Sequence, residues 1–114
     1  FIDFVCTIVH PISMKIVGIE WDSGNWPKCG KHGVSKAEIQ HVLLNIQFLM
    51  PDPHPDEGRY FTAGQAPTGR HVFVVITHRH HETGMFIRPI SARYMHRKEV
   101  KKYEHAKAMA GLRE

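Results

Sequence analysis

The residues of this chain that are best suited to chemistry are basic or carry a hydroxyl group. They are Lys31, His32, Arg59, Thr77, Arg79, Arg88, Ser91, Arg93, Arg97 and Tyr103. Such a set suits cleavage of RNA by its own 2′-hydroxyl, because the substrate then supplies the nucleophile. Arginine binds phosphate through two parallel hydrogen bonds and stabilises developing charge. A lysine, histidine or tyrosine side chain can move the protons.

The charges of the chain are distributed unevenly. Residues 1–68 hold five Lys/Arg and seven Asp/Glu, a net charge of −2, whereas residues 69–114 hold ten and four, a net charge of +6. A basic half of this kind indicates a polyanionic partner, usually a nucleic acid. The alternative is a solvated basic helix at the C-terminal end, in which Arg97, Lys98, Lys101 and Lys102 face water.

The ten histidines raise the question of a metal site. His78, His80 and His81 stand together in THRHH, but neighbouring residues at a strand end point to opposite faces. Ligands that converge on a metal need another spacing. The P-loop, GxGxxG, GxSxG and HExxH patterns are missing from the sequence, and we predict neither a metal nor another cofactor.

Length and composition predict one domain without a membrane partner. A chain of 114 residues supports a single core, and no apolar run approaches the roughly 20 residues that cross a bilayer. Cys6 and Cys29 form no CxxC pair, which favours a reducing cytoplasm. Met14 directly precedes a strand-like segment, so we interpret residues 1–13 as an N-terminal extension and residues 14–114 as the domain.

The segments that must position the basic residues alternate between helix and strand patterns. Residues 15–21 predict a strand, and residues 22–33 a loop or broken helix. Ser35 and Glu38 form a capping box, with Val34 and Ile39 as its hydrophobic staple, and they predict a helix over residues 36–48. The prolines of PDPHP at positions 51–55 would then end this helix.

The second half of the chain predicts an antiparallel meander and a C-terminal helix. Strands are expected at 59–64, 71–77 and 85–94, with a turn at 65–69 and a hairpin loop at 80–84. A helix is expected from position 96 onward. The fold class is therefore α+β, in which an N-terminal strand and helices pack on an antiparallel β-sheet.

The strand pattern limits which arginines can act together. Ser91 and Arg93 share one strand face, whereas Arg88 lies on the other unless Pro89 introduces a bulge. Glu99 is expected to pair with an arginine or to cap the last helix. Lys31, His32 and Gly33 fit a catalytic turn, and they equally fit a helix C-terminal cap.

Four segments together resemble a known family. They are EWDSGNWPKCGKHGV at 20–34, GRYFTAGQ at 58–65, the strand that ends in THR at 77–79, and RPISARYMHRKEVKKYE at 88–104. In this order and spacing they resemble the BrnT-like toxins, the toxin halves of type II toxin–antitoxin pairs. The chain departs from the family pattern at Gln65, where a basic residue is common, and in the segment after Trp21, which is one residue shorter.

The resemblance implies a RelE-like ribonuclease that is neutralised by a cognate antitoxin and has an RNA substrate. It implies contact with operator DNA only through that antitoxin. Carried over by motif, the implied catalytic residues are Lys31, His32, Arg59, Arg79 and Arg93, and the implied substrate-binding residues are Arg88, Ser91, Arg97 and Tyr103. Two alternatives stay open: a nucleic-acid-binding module without catalysis, and a degenerate toxin that serves only as the partner of an antitoxin.

Overall fold

The computed structural model describes residues 16–47, 49–51 and 58–111. In chain order the elements are β1 (Ile16–Ile19), a short 3-10 helix (Lys28–Gly30), α1 (Lys36–Leu44), β2 (Met50–Pro51), β3 (Arg59–Gln65), β4 (His71–His81), β5 (Gly84–Tyr94) and α2 (Arg97–Ala110). The predicted extension over residues 1–13 lies outside the described residues. None of the helices described is long and apolar enough to cross a membrane.

The five strands form one sheet in the order β1-β5-β4-β3-β2. The α+β prediction is confirmed, since two helices pack on this sheet and α2 follows its last strand. β3, β4 and β5 pair antiparallel, as expected, and β2, a short strand that the sequence did not predict, pairs antiparallel with β3. β1 runs parallel to β5 and makes the sheet mixed. The alternation along β4 explains its central place, because Val72, Val74 and Ile76 are fully buried while the residues between them are partly exposed.

Each face of the sheet packs against its own apolar cluster. The first cluster joins α1 to one face through Ile39, Val42, Val74 and Ile76, together with other buried residues. The second cluster joins α2 to the opposite face through Tyr103, Ala106, Phe61 and Ala63, with Phe73 and Val75 packed against it. The two faces therefore have different neighbours, and a residue's position along β4 decides which helix it meets.

The start of α1 agrees with the predicted capping box, but its end does not agree with the prediction. The Ser35 hydroxyl accepts the Glu38 backbone N–H at 3.1 Å, and the Glu38 carboxylate accepts the Ser35 backbone N–H at 3.1 Å. The helix ends at Leu44 rather than at position 48. Asn45 follows the last turn, and its side-chain amide donates to the His41 carbonyl at 2.8 Å. This amide satisfies a terminal carbonyl and competes with continuation of the helix.

The hairpin between β4 and β5 is tighter than expected. The prediction of a loop over residues 80–84 is wrong, because β4 continues to His81 and pairs it with Gly84. Only Glu82 and Thr83 form the turn. Gly84 has a φ of 138°, in a region that favours glycine. The consequence is that His80 and His81 are strand residues with defined faces.

A bulge in β5 settles the question of the arginine faces. Val75 pairs with Ser91 and Ile76 pairs with Pro89, so Ile90 is an additional residue on β5. The extra residue shifts the alternation by one position. As a result Arg88, which pairs with Thr77, lies on the same face as Ser91 and Arg93.

Candidate functional site

Five of the predicted site residues lie on one face of the sheet, the face that α2 partly covers. Direct pairing places Arg59 opposite Thr77, Thr77 opposite Arg88, Ser91 opposite Val75 and Arg93 opposite Phe73. Arg79 follows Thr77 by two positions and shares its face. We call the set Arg59, Arg79, Arg88, Ser91 and Arg93 the arginine face. Adjacent strands are about 4.8 Å apart, so the Cα atoms of Arg59 and Arg88, on either side of Thr77, are separated by roughly 10 Å.

Two carboxylates hold Arg88 in place. Its Nη1 donates to Glu20 at 2.9 Å and to Asp22 at 2.7 Å, and its Nη2 donates to Asp22 at 3.1 Å. The hydrogen bond from Arg88 lowers the pKa of Asp22, as do the Gly24 backbone N–H and, more weakly, the charge of Arg79. The side chain of Arg88 is 13% exposed, and its charge is compensated by the two carboxylates. It is therefore better suited to fixing the geometry of the site than to binding phosphate by itself.

Asn25 fixes the segment that carries these carboxylates. Its side chain is buried, and its amide donates to the Glu20 carbonyl at 3.0 Å and to the Pro89 carbonyl at 2.9 Å. Its side-chain oxygen accepts the Asp22 backbone N–H at 2.8 Å. One side chain thus ties the chain between Glu20 and Asp22 to the β5 bulge, which places both carboxylates beside Arg88.

We expect Asn25→Ala to lower the free energy of unfolding by roughly 2–4 kcal/mol, because buried carbonyl and amide groups would lose their partners. Urea unfolding measures the change. Asn45→Ala is the matched control, since Asn45 is exposed and makes one capping bond, and a loss of about 1 kcal/mol or less is expected there. Equal losses in the two variants would contradict the role given to Asn25.

Arg93 is bound by Glu99 at the start of α2. Nη1 and Nη2 of Arg93 donate to the two carboxylate oxygens of Glu99, each at 2.7 Å, and the guanidinium lies 4.9 Å from the centre of the Phe73 ring. Glu99 also accepts the His96 backbone N–H at 2.9 Å. Both roles expected for Glu99, pairing with an arginine and capping the helix, are confirmed. The pair joins α2 to the arginine face.

The Arg93–Glu99 pair should make the stability of the fold decrease at acidic pH. The hydrogen bonds from Arg93, opposed by burial, lower the pKa of Glu99 from 4.5 to about 2. Because the folded-state pKa is the lower one, this stabilisation is full above pH 4.5 and is lost as the pH falls toward 2. The pair contributes up to about 3 kcal/mol near neutrality.

We therefore expect the difference in unfolding free energy between wild type and Glu99→Gln to shrink as the pH falls from about 5 to 2. Urea unfolding at a series of pH values measures it. Glu82→Gln, in the exposed hairpin turn, is the matched control and should differ little from wild type at any pH. A constant difference between wild type and Glu99→Gln would contradict the assignment.

Among the arginines of the arginine face, Arg79 has the guanidinium group that is most accessible to a ligand. Its side chain is exposed, and over the part of the chain that the structure describes that side chain forms no hydrogen bond or ion pair. Its charge still acts on its surroundings, since it contributes to the lowered pKa of Asp22 after the larger effects of Arg88 and Gly24. Arg59 is half-buried and already interacts with other groups. A phosphate that approached this face would meet Arg79 first.

Lys31 and His32 lie away from the arginine face. They are exposed in the segment between Cys29 and Val34, both of which are buried in the first cluster on the α1 side. The neighbouring Gly33 carbonyl accepts the Tyr94 hydroxyl at 3.5 Å, and Tyr94 packs against the same cluster. The structure therefore does not bring Lys31 and His32 together with the five residues of the arginine face.

The remaining predicted binding residues belong to α2. Arg97 is its first residue and is exposed, whereas Tyr103 is buried in the second cluster, with its ring 5.6 Å from the ring of His71. Tyr103 lies on the side of α2 that faces the sheet, and it has the environment of a packing residue. Gln65, at a position where the family pattern is often basic, donates to the Gly69 carbonyl at 3.0 Å and closes the turn after β3.

The described residues offer neither an activated thiol nor a metal site. Burial raises the pKa of the Cys29 thiol to about 11, so Cys29 is not a thiolate near neutral pH. Within residues 16–47, 49–51 and 58–111, no three His, Cys, Asp or Glu side chains are grouped in a way that could hold a metal ion. The chemistry visible on this face is that of guanidinium, hydroxyl, carboxylate and imidazole groups.

Sequence reasoning did not identify Glu20, Asp22 and Asn25 as parts of the site. The pattern offered one signal, since carboxylates two positions apart after a strand extend to the same side if the chain stays extended. No sequence pattern could indicate the contact between Asn25 and Pro89, because the two residues are 64 positions apart.

Comparison with known proteins gives one match. Residues 21–99, well over half of the chain, match the model of a family described as the ribonuclease toxin, BrnT, of a type II toxin–antitoxin system. No curated protein and no solved structure matches the chain. The matched range includes the whole arginine face and its partners Asp22 and Glu99, while Glu20 directly precedes it.

Proposed function

We propose that this chain, which belongs to the BrnT family of ribonuclease toxins of type II toxin–antitoxin systems, cleaves RNA on its arginine face without a metal ion. The family match confirms the membership that the sequence motifs predicted. The observation that carries the proposal is the exposed guanidinium of Arg79, on the same sheet face as Arg88 and Arg93, two arginines whose positions are fixed by carboxylates. Guanidinium groups supply the positive charge that a phosphate transition state requires.

The proposed roles follow from exposure and pairing. Arg79 binds the scissile phosphate. Arg93 pairs with Phe73, roughly 20 Å along β4 from Arg79, so it binds another phosphate of the RNA through the donors that Glu99 leaves free. Arg59 and Ser91 position the RNA backbone on either side of β4. Arg88 keeps the face in shape through Glu20 and Asp22. The 2′-hydroxyl of the RNA is the nucleophile, so the protein needs to orient, stabilise charge and move protons.

Lys31, His32 and Arg97 receive a more peripheral role. All three are exposed and lie beyond the arginine face, near the segment before α1 and at the start of α2. Hydrogen-bond donors at such positions suit phosphates of the RNA on either side of the reacting nucleotide. Replacing Lys31 would then raise KM for a long RNA and leave kcat unchanged.

The family implies a protein antitoxin as partner. We propose that the antitoxin covers the arginine face, because an inhibitor must deny RNA access to Arg79. We further propose that the antitoxin binds operator DNA, so that the chain contacts that DNA only through its partner. A short adjacent reading frame with a ribbon-helix-helix pattern would identify the partner to use in the experiment.

Cleavage of a labelled RNA in excess EDTA tests the proposal. Wild-type protein should produce fragments in the chelator, and protein saturated with the antitoxin should produce none. Intact RNA with folded protein, both with and without added ribosomes, would contradict catalysis. Salt-sensitive binding of intact RNA would then favour a nucleic-acid-binding module.

A further inference from the structure

His81 occupies a defined place on the same side of the sheet as Arg79. It is the last residue of β4 and follows Arg79 by two positions, so its side chain lies on the face that carries Thr77 and Arg79. Its side chain is 50% exposed. At about 3.3 Å per residue, the Cα atoms of Arg79 and His81 are separated by roughly 7 Å, a span that a phosphate group can bridge.

A carboxylate orients the imidazole of His81. Its Nε2 lies 2.6 Å from Oε1 of Glu20, and the edge of Phe86 packs against its ring at 4.9 Å between centroids. The other oxygen of Glu20 accepts a hydrogen bond from Arg88 at 2.9 Å. Glu20 therefore connects an exposed imidazole to the arginine face, and a carboxylate behind an imidazole is the arrangement that fixes the ring and its tautomer.

The other histidines for which contacts are described do not meet these conditions. The ring of His78 packs on Tyr60, toward the first cluster, and His80 alternates to the face opposite His81. His71 also meets a carboxylate, Glu104, at 2.8 Å, but its side chain is only 12% exposed and lies under α2 against Tyr103. His81 alone among these combines exposure, a carboxylate partner and the face of Arg79.

We propose that His81 is the catalytic base of RNA cleavage and that Glu20 is its positioning residue. The inference rests on the proposed function, since it assigns the proton-transfer group for the same reaction. Lys31 and His32, the other candidates that the family resemblance implies, lie in the segment before α1 and away from the arginine face.

The chemical step is an internal transesterification in which water only carries protons. Neutral His81 takes the proton of the 2′-hydroxyl while the 2′-oxygen forms a bond to phosphorus. The bond between phosphorus and the 5′-oxygen breaks, and that oxygen takes a proton from water. The products are a 2′,3′-cyclic phosphate and a 5′-hydroxyl end. The imidazolium formed on His81 is stabilised by Glu20 and returns its proton to solvent.

The charges around His81 come from three elements. Glu20 follows β1, Arg79 lies on β4, and Arg88 on β5 reaches Glu20. His80 and Glu82 are its neighbours along the chain, and Asp22 shares Arg88 with Glu20. A pH profile must therefore be compared between variants that change His81 alone and those that change a neighbour.

The experiment measures kcat for RNA cleavage between pH 5 and 8, the range in which imidazole side chains change charge. His81→Gln keeps a donor for Glu20 but cannot titrate, and His80→Gln is the matched control on the other face. We expect His81→Gln to lower kcat about 100-fold or more and to remove the rise of the rate with pH. His80→Gln should keep kcat within twofold of wild type, and its rate should rise with pH as the wild-type rate does.

A second measurement works on the unaltered protein. The pH at which the rate of wild type is half of its plateau should coincide with the midpoint of the His81 imidazole titration followed by NMR. Glu20→Gln should lower kcat with little change of KM. A His81→Gln variant that is folded and cleaves RNA with wild-type rate and pH profile would overturn the inference while leaving the proposed function intact. Wild-type protein without cleavage would overturn both.

Discussion

Replacing Arg79 by alanine is expected to lower kcat for RNA cleavage by about 100- to 1000-fold, the loss that follows removal of one pre-organised group that stabilises transition-state charge. The stability of the fold should change by no more than about 0.5 kcal/mol, because the Arg79 side chain is exposed and forms no hydrogen bond within the described ranges. Single-turnover cleavage and urea unfolding of the same preparation measure the two quantities.

Two further variants separate the Arg79 guanidinium from net charge. Lys28→Ala removes one exposed positive charge from the 3-10 helix on the α1 side, and its rate should stay within about twofold of wild type. Arg79→Lys keeps the charge but loses the planar fork, so an intermediate rate is expected. If Lys28→Ala and Arg79→Ala reduced the rate equally, general electrostatic attraction would explain the effect and the site assignment would be wrong.

The largest effect on stability is expected at Ile76, on the opposite face of the same strand. Ile76 is 0% exposed and belongs to the first cluster, and it pairs with Pro89 beside the β5 bulge. Ile76→Ala should lower the free energy of unfolding by about 2–5 kcal/mol, because a cavity forms in a core that cannot fully collapse. Denaturant unfolding followed by circular dichroism measures the loss.

The matched control for Ile76 is Val17, which is 45% exposed on β1. Val17→Ala should change the stability by about 0.5 kcal/mol or less. A loss below 1 kcal/mol in Ile76→Ala would contradict the description of the core. Such a result would also weaken the placement of the arginine face, since that face depends on the register of β4 and β5.

Local sequence patterns predicted most of the elements because those patterns act over short distances. Ser35 and Glu38 form their capping box within one helical turn, and the alternation of β4 marks its buried face. One error concerns strand direction, because the expected antiparallel sheet is mixed and β1 runs parallel to β5. Two other errors concern the ends of elements. α1 ends early because Asn45 caps it, and β4 extends to His81 because the hairpin closes with two residues. Both outcomes depend on competition between neighbouring hydrogen bonds, which periodicity does not report.

The sequence named candidate residues for the site but did not determine how they lie relative to one another. The sequence left open whether Arg88 shares a face with Arg93, and only the bulge at Ile90 answers this. The carboxylates that fix Arg88 come from residues 66 and 68 positions earlier in the chain. Lys31 and His32 stand in a distinctive motif, yet the fold of the segment before α1 places them on the other side. Such long-range relations follow from tertiary packing and not from spacing along the chain.

The chemical nature of the RNA ends tests the central claim most directly. Fragments made in excess EDTA should carry a 2′,3′-cyclic phosphate on one side of the break and a 5′-hydroxyl on the other, and substitution of a 2′-deoxynucleotide on the 5′ side of the cleaved bond should block the reaction. Mass spectrometry of the fragments identifies the ends. A 3′-hydroxyl with a 5′-phosphate, or full cleavage at the 2′-deoxy position, would show that the RNA does not supply the nucleophile and would contradict the account.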